Sequence, residues 1–174
     1  MLAPEGTQTP QGTKGKAGED LSGAPFWNAT DTCCDFGKTG VDDVSYILGA
    51  IESVQKTYNI APSRIYLIGH SNGGFMANRL ACEAGREFAA IAVLGGGTFL
   101  DAKLCNNKDP VPYLHIHATN GGTIRDTSAI EYAGAKETVD QWRTRNGCEG
   151  AAKIGAAKDY LFLLKGSDTT PQTW

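Results

Sequence analysis

A run of apolar and β-branched residues leads directly into a glycine-rich turn in the stretch Arg64-Ile-Tyr-Leu-Ile-Gly-His-Ser-Asn-Gly-Gly-Phe-Met-Ala77. Residues 64–68 predict a buried strand, and residues 75–84, with apolar side chains on one side, predict a helix. The intervening residues 69–73 fit the pattern Gly-x-Ser-x-Gly. A strand before this pattern and a helix after it are typical of a nucleophile elbow, a sharp turn that presents a serine hydroxyl above a sheet.

The turn predicts two functional groups. Ser71 is the predicted nucleophile. The backbone N–H of Asn72 is a predicted oxyanion donor, because the N–H groups and the dipole at a helix N-terminus favour negative charge. Glycines are expected at positions 69 and 73, because a side chain in so tight a turn would clash. One alternative stays open, namely a glycine-rich strand-to-helix turn with an inert serine.

Apolar periodicity outlines the rest of the fold. Helical spacing predicts helices at 41–58 and 129–145, and apolar runs predict strands at 89–94, 111–117 and, less clearly, 160–164. Alternating helices and apolar strands predict an α/β fold, a mostly parallel sheet with helices on both faces. Residues 4–40 form a predicted long, irregular surface segment within a single domain spanning residues 1–174.

Composition excludes several classes of protein. The 174 residues include 16 Lys and Arg against 19 Asp and Glu, a net charge of −3, so no basic field for nucleic acid is expected. The longest apolar runs are far shorter than the ~20 residues that span a bilayer, which predicts no membrane partner. The first residues lack the basic region and apolar run of a signal peptide.

Five cysteines, at positions 33, 34, 82, 105 and 148, favour an oxidising compartment. An odd number leaves one free thiol or one missing partner. Two separate disulfides from Cys33 and Cys34, to any of the other three, are expected rather than a ring between neighbours.

Several stretches together resemble the secreted polyhydroxybutyrate depolymerase and feruloyl esterase group of α/β-hydrolases. They are Arg64–Ala77, Phe26-Trp-Asn-Ala-Thr30, Cys33-Cys-Asp35, Gly40-Val-Asp-Asp-Val44, Val111-Pro-Tyr-Leu-His-Ile-His117 and Trp142–Cys148. The resemblance implies a secreted serine esterase with a Ser-Asp-His triad, an acyl-enzyme intermediate and no cofactor. Its substrates would be small esters, polyester oligomers or feruloyl esters on polysaccharide.

The resemblance also implies that Trp27 and Asn28 lie at the substrate mouth. A hydrophobic anchor for the 4–40 segment is an equally good interpretation of Trp27.

Two members of the implied triad do not match. The family's triad aspartate position holds Gly121, and Asp126 would serve as the acid only if the loop is displaced. No histidine follows His117, although the triad order places the histidine last. The chain therefore resembles a hydrolase cut at both ends, also without its first oxyanion loop, and weak or absent activity is expected. The alternative is a non-catalytic remnant with a binding role, and self-association through exposed sheet edges is a further expectation.

His115 and His117 place two imidazoles on one face of a strand. No third ligand has suitable spacing, so ordinary hydrogen-bonded histidines are expected rather than a metal site. The His70 side chain is expected to point away from Ser71.

Overall fold

The computed structural model describes residues 1–119, 132–160 and 166–174. Its elements in chain order are β1 (Thr7–Gln8), β2 (Pro25–Phe26), α1 (Asp43–Thr57), β3 (Tyr66–His70), α2 (Asn72–Ala84), β4 (Ala90–Leu94), β5 (Tyr113–Ile116), α3 (Ala135–Arg145), β6 (Lys153–Ile154) and β7 (Gln172–Thr173). Short 3₁₀ turns occur at Pro62–Arg64, Gly85–Glu87 and Ala102–Leu104.

The central sheet is parallel, with the strand order β3-β4-β5. The helix α2 connects β3 to β4 and packs on both strands. Because the strands are parallel, their carboxyl ends meet at one edge of the sheet, where Ser71, Gly95 and His117 follow β3, β4 and β5. The predicted α/β fold class is confirmed. The pairs β1-β2 and β6-β7 are short antiparallel ribbons.

Local chemistry explains most of the element boundaries. The helix predicted at 41–58 is α1, and the Asp42 side chain caps it by accepting a hydrogen bond from the Ser45 N–H at 3.0 Å. The strand predicted at 64–68 starts two residues later, because residues 62–64 form a 3₁₀ turn.

The helix predicted at 129–145 begins only at Ala135. The Ala133 N–H donates to Thr98 O at 3.2 Å, so residue 133 forms a β-bridge instead of a helical turn. Residues 129–131 and most of the candidate strand 160–164 lie outside the described residues.

Described helices cover one face of the sheet. Apolar side chains of α1, α2 and α3, including Val44, Phe75 and Trp142, join one core with Ile91 and Val93. The opposite face carries the other side chains of β3 and β5, among which Tyr66, Ile68, Leu114 and Ile116 are 60%, 79%, 55% and 51% exposed. The sequence predicts helices on both faces of the sheet. Within the described residues, helices cover one face.

A buried asparagine joins three parts of the core. Asn78 on α2 is fully buried; its Oδ1 accepts from Trp142 Nε1 at 2.8 Å and its Nδ2 donates to Gly97 O at 2.8 Å. Both ends of the amide therefore have a partner, which offsets the free-energy cost of burying it. The contact joins α2, α3 and the loop after β4.

The disulfides differ from the sequence expectation. Cys33 and Cys34 are bonded to each other, Cys82 is bonded to Cys105, and Cys148 is free. Cys33 contacts Asn72 at the first turn of α2, whereas Cys82 lies ten residues further along that helix, about 15 Å away at 1.5 Å per residue. This separation exceeds the reach of a disulfide between Cys33 and Cys82. The expected separate bridges are wrong, because Cys33 and Cys34 bond to each other and Cys105 is taken by Cys82.

Candidate functional site

Ser71 occupies a strained turn between β3 and α2. Its backbone has φ 52° and ψ −121°, a conformation that residues other than glycine rarely adopt. Its N–H donates to Leu94 O at 2.9 Å, and its carbonyl accepts from the N–H groups of Gly74 at 2.9 Å and Phe75 at 3.1 Å. These bonds hold the serine between the sheet edge and the helix, as a nucleophile elbow requires.

Close backbone approaches surround the turn. A Cβ on Gly69 would lie 2.1 Å from Gly73 O, and a Cβ on Gly96 would lie 2.8 Å from Gly74 Cα. A Cβ on Gly73 would have open space around it. The expectation that both flanking glycines avoid a clash is therefore correct for Gly69 and wrong for Gly73.

Asn72 begins α2 directly after the serine. As the first helical residue, it contributes one of the N–H groups that lack a partner within the helix. Its side chain binds elsewhere, with Oδ1 accepting from the Trp27 N–H at 2.7 Å and Nδ2 donating to Trp27 O at 2.9 Å. The pattern Gly-x-Ser-x-Gly does not predict this role, because it leaves the residue after the serine open.

Trp27 and Asn28 lie beside the turn and are held by several groups. The Trp27 ring stacks on Tyr46 with 6.4 Å between ring centroids. Asn28 donates its N–H to Asp43 Oδ2 at 2.6 Å and accepts from Arg79 Nη1 at 2.6 Å. The structure thus bonds Trp27 to Asn72, the residue after Ser71, with Asn28 next to Trp27 in the chain. The contact of Trp27 and Asn28 with substrate stays a prediction.

Burial and the neighbouring polar groups act in opposite directions on the pKa of Asp43, which is 3% exposed. Desolvation raises the pKa of this carboxyl, whereas the Asn28 N–H and the Arg79 guanidinium lower it. The hydrogen bond from Asn28 and the nearby charge of Arg79 favour the ionised form that burial penalises, but desolvation is the largest effect and the pKa is raised overall.

The histidines on β5 and after it do not both match the expected ordinary hydrogen bonding. His115 Nδ1 lies 2.8 Å from the Tyr113 hydroxyl. Within the described residues, His115 Nε2 and both ring nitrogens of His117 are buried without a partner. Burial, together with the nearby His117, lowers the pKa of His115 from 6.5 to about 4.

The structure does not assemble a triad from the described residues. Neither His115 nor His117 hydrogen-bonds to Ser71. His70 is exposed on β3. Asp126, the candidate acid, and Gly121 lie outside the described residues.

Within residues 1–119, 132–160 and 166–174, the structure contains no group of three or more His, Cys, Asp or Glu side chains placed to hold a metal ion. In the same residues, no helix has both the length and the apolar character needed to cross a bilayer.

A parallel sheet with a serine at positive φ between a strand and a helix defines the class of α/β-hydrolases. The chain belongs to the prolyl oligopeptidase family, whose sequence pattern matches residues 35–142. The resemblance to esterases of this class, predicted from the sequence, is confirmed by relatives, and a solved structure confirms the fold.

A probable feruloyl esterase C of Aspergillus niger is 30% identical over 117 residues, which are 67% of this chain and 40% of that protein. Feruloyl esterase B of Piromyces equi is 30% identical over 139 residues, 73% of this chain and 25% of that protein. The crystal structure of a thermostable esterase matches with a TM-score of 0.50 and 23% identity, over 60% of this chain and 26% of its own. The chain thus spans at most about two-fifths of the length of these proteins.

The two glycines of the motif make a matched pair for substitution. We expect Gly69→Ala to lower the free energy of unfolding by more than about 2 kcal/mol, because the new methyl group collides with Gly73 O. Gly73→Ala, in α2 with open space around the new Cβ, should be neutral or stabilising by up to about 1 kcal/mol. Urea unfolding followed by circular dichroism measures both, and equal effects would contradict the close approach.

Burial of His115 makes stability depend on pH. Between pH 6.5 and about 4 the unfolded chain binds a proton at this ring and the folded chain does not, so stability falls as the pH decreases through this window. The contribution is on the order of 3 kcal/mol. We expect His115→Asn to flatten the pH dependence of the free energy of unfolding. Identical profiles for the wild type and His115→Asn would refute the assignment.

Proposed function

We propose that this chain carries the nucleophile of a carboxylic-ester hydrolase, with Ser71 attacking the acyl carbon. The observation that supports the proposal is the positive φ of Ser71 at the carboxyl edge of a parallel sheet. That backbone conformation is costly, and such strain concentrates at active sites. The esterase relatives support the same chemistry.

In the proposed reaction, Ser71 Oγ loses its proton and bonds to the acyl carbon. The alcohol leaves with a proton, and water then releases the acid from the acyl-enzyme. The Asn72 N–H donates to the oxyanion of each tetrahedral intermediate. Asp126 is the proposed acid of the triad. The proton acceptor for Ser71 is not assigned to His115 or His117, because neither ring hydrogen-bonds to Ser71.

The proposed substrates are feruloyl esters on polysaccharide, polyhydroxyalkanoate oligomers or short acyl esters. Feruloyl esters are the first choice because two of the relatives are named as feruloyl esterases. Trp27 and Asn28 are the proposed residues at the substrate mouth. We also propose that the protein acts outside the cell, which is consistent with two disulfides, Cys33–Cys34 and Cys82–Cys105.

The test is hydrolysis of p-nitrophenyl acetate, p-nitrophenyl butyrate and methyl ferulate by the purified chain. We expect slow turnover, because the described residues assemble no triad around Ser71. Ser71→Ala should abolish that turnover, because the acyl-enzyme forms on Ser71 Oγ. Ser53→Ala, at an exposed serine on α1, is the control and should retain the wild-type rate.

A second candidate function is a non-catalytic binding protein. The substitution at the triad aspartate position, Gly121, favours it. If the wild type and Ser71→Ala are both folded and neither hydrolyses the esters, the hydrolase proposal is rejected. Affinity for ferulate that Ser71→Ala leaves intact would then support the binding role.

We further propose self-association through the sheet edges. Within the described residues β3 and β5 each pair only with β4, and unpaired strand edges favour pairing with another chain. We expect sedimentation velocity to show concentration-dependent dimers, which Ile68→Lys on β3 weakens. Ile154→Lys on β6, at a similarly exposed isoleucine, is the control. A monomer at all concentrations would refute the proposal.

A further inference from the structure

The Asn72 side chain holds the Trp27 main chain at two points. Its Oδ1 accepts from the Trp27 N–H at 2.7 Å, and its Nδ2 donates to Trp27 O at 2.9 Å. Nδ2 also lies 3.6 Å from Cys33 Sγ. A single amide thus satisfies both backbone groups of a residue 45 positions earlier in the chain. We call this pair of hydrogen bonds the Asn72 clamp.

The Asn72 clamp connects the nucleophile turn to the Trp27–Asn28 segment. Asn72 follows Ser71 directly, and its own backbone position is determined by α2. On the other side of the clamp, Asn28 is held by Asp43 and Arg79. The segment is therefore supported from α1 and α2, and the clamp is the support that lies next to the serine.

A second clamp with the same chemistry lies elsewhere in the fold. Asn146 accepts from the Val111 N–H at 2.9 Å and donates to Val111 O at 2.8 Å, across 35 residues. Val111 precedes β5, so this clamp lies at the amino edge of the sheet, opposite the edge that carries Ser71. The two clamps make the same pair of hydrogen bonds at opposite edges of the sheet. Comparing them therefore distinguishes a role in the site from a role in stability.

We propose that Asn72 is a positioning residue, whose side chain fixes the Trp27–Asn28 segment against the nucleophile turn and so sets the affinity for the ester. This proposal rests on the proposed ester hydrolysis by Ser71. Without the Asn72 clamp the serine stays in place, but the Trp27–Asn28 segment becomes mobile. Substrate binding must then order this segment, and the lost conformational entropy weakens the affinity. Loss of the two neutral hydrogen bonds of the Asn72 clamp should weaken the affinity for the ester by roughly tenfold.

The experiment compares Asn72→Ala with Asn146→Ala in the full 174-residue chain. Both variants lose two hydrogen bonds and should lose similar stability. Only Asn72→Ala should raise the KM for methyl ferulate, by roughly tenfold, with kcat changed by less than about threefold. Asn72→Asp keeps an acceptor for the Trp27 N–H and should give an intermediate KM. An unchanged KM in Asn72→Ala, or an equal rise in Asn146→Ala, would overturn the proposal.

Amide hydrogen exchange tests the clamp without any turnover. By NMR, the Trp27 N–H should exchange faster in Asn72→Ala than in the wild type and stay protected in Asn146→Ala, and the Val111 N–H should show the reverse. Unchanged protection of Trp27 in Asn72→Ala would show that the side chain does not hold this segment.

Absence of Ser71-dependent turnover would reject the proposed function but still leave the positioning role testable. NMR titration with ferulate then replaces the kinetic measurement. Binding roughly tenfold weaker in Asn72→Ala than in Asn146→Ala supports the positioning role. Equal affinity of the two variants, or no binding by the wild type, overturns it.

Discussion

The close approach of two backbones at the nucleophile turn is the constraint on which the site depends. A side chain on Gly69 would collide with the Gly73 carbonyl, and the backbones of Gly74 and Gly96 nearly touch. These contacts allow α2 to start directly above the sheet edge, and the sharp turn leaves Ser71 at positive φ. The hydrogen bonds on either side of the serine offset the strain of that conformation.

Asparagine side chains carry much of the long-range organisation. Asn78 joins Trp142 to the Gly97 carbonyl inside the core, while Asn72 and Asn146 each hold the main chain of a distant residue. An amide suits this task because it presents both an acceptor and a donor, which bind the N–H and the C=O of one residue. Neighbouring elements of the site are therefore fixed by polar contacts as well as by apolar packing.

The chemistry of a serine hydrolase is divided between local and distant groups. The turn supplies the serine and a helix N-terminus from consecutive residues, whereas an acid and a base must come from elsewhere in the fold. Among the described residues, the half-buried histidines of β5 and its end, His115 and His117, do not bond to the serine. Family membership and fold therefore support the proposal that Ser71 is the nucleophile. They do not by themselves give the rate of ester hydrolysis, which also depends on the acid and the base.

The sequence by itself determined the α/β class, the strand-turn-helix around Ser71 and the resemblance to esterases, because periodicity and glycine spacing are local properties. It placed α1, α2 and the parallel strands to within about three residues. Tertiary structure decided which cysteines pair, where α3 begins and what the Asn72 side chain holds. Each of these depends on distances between residues far apart in the chain, such as the length of α2 that separates Cys33 from Cys82, and no local pattern encodes them.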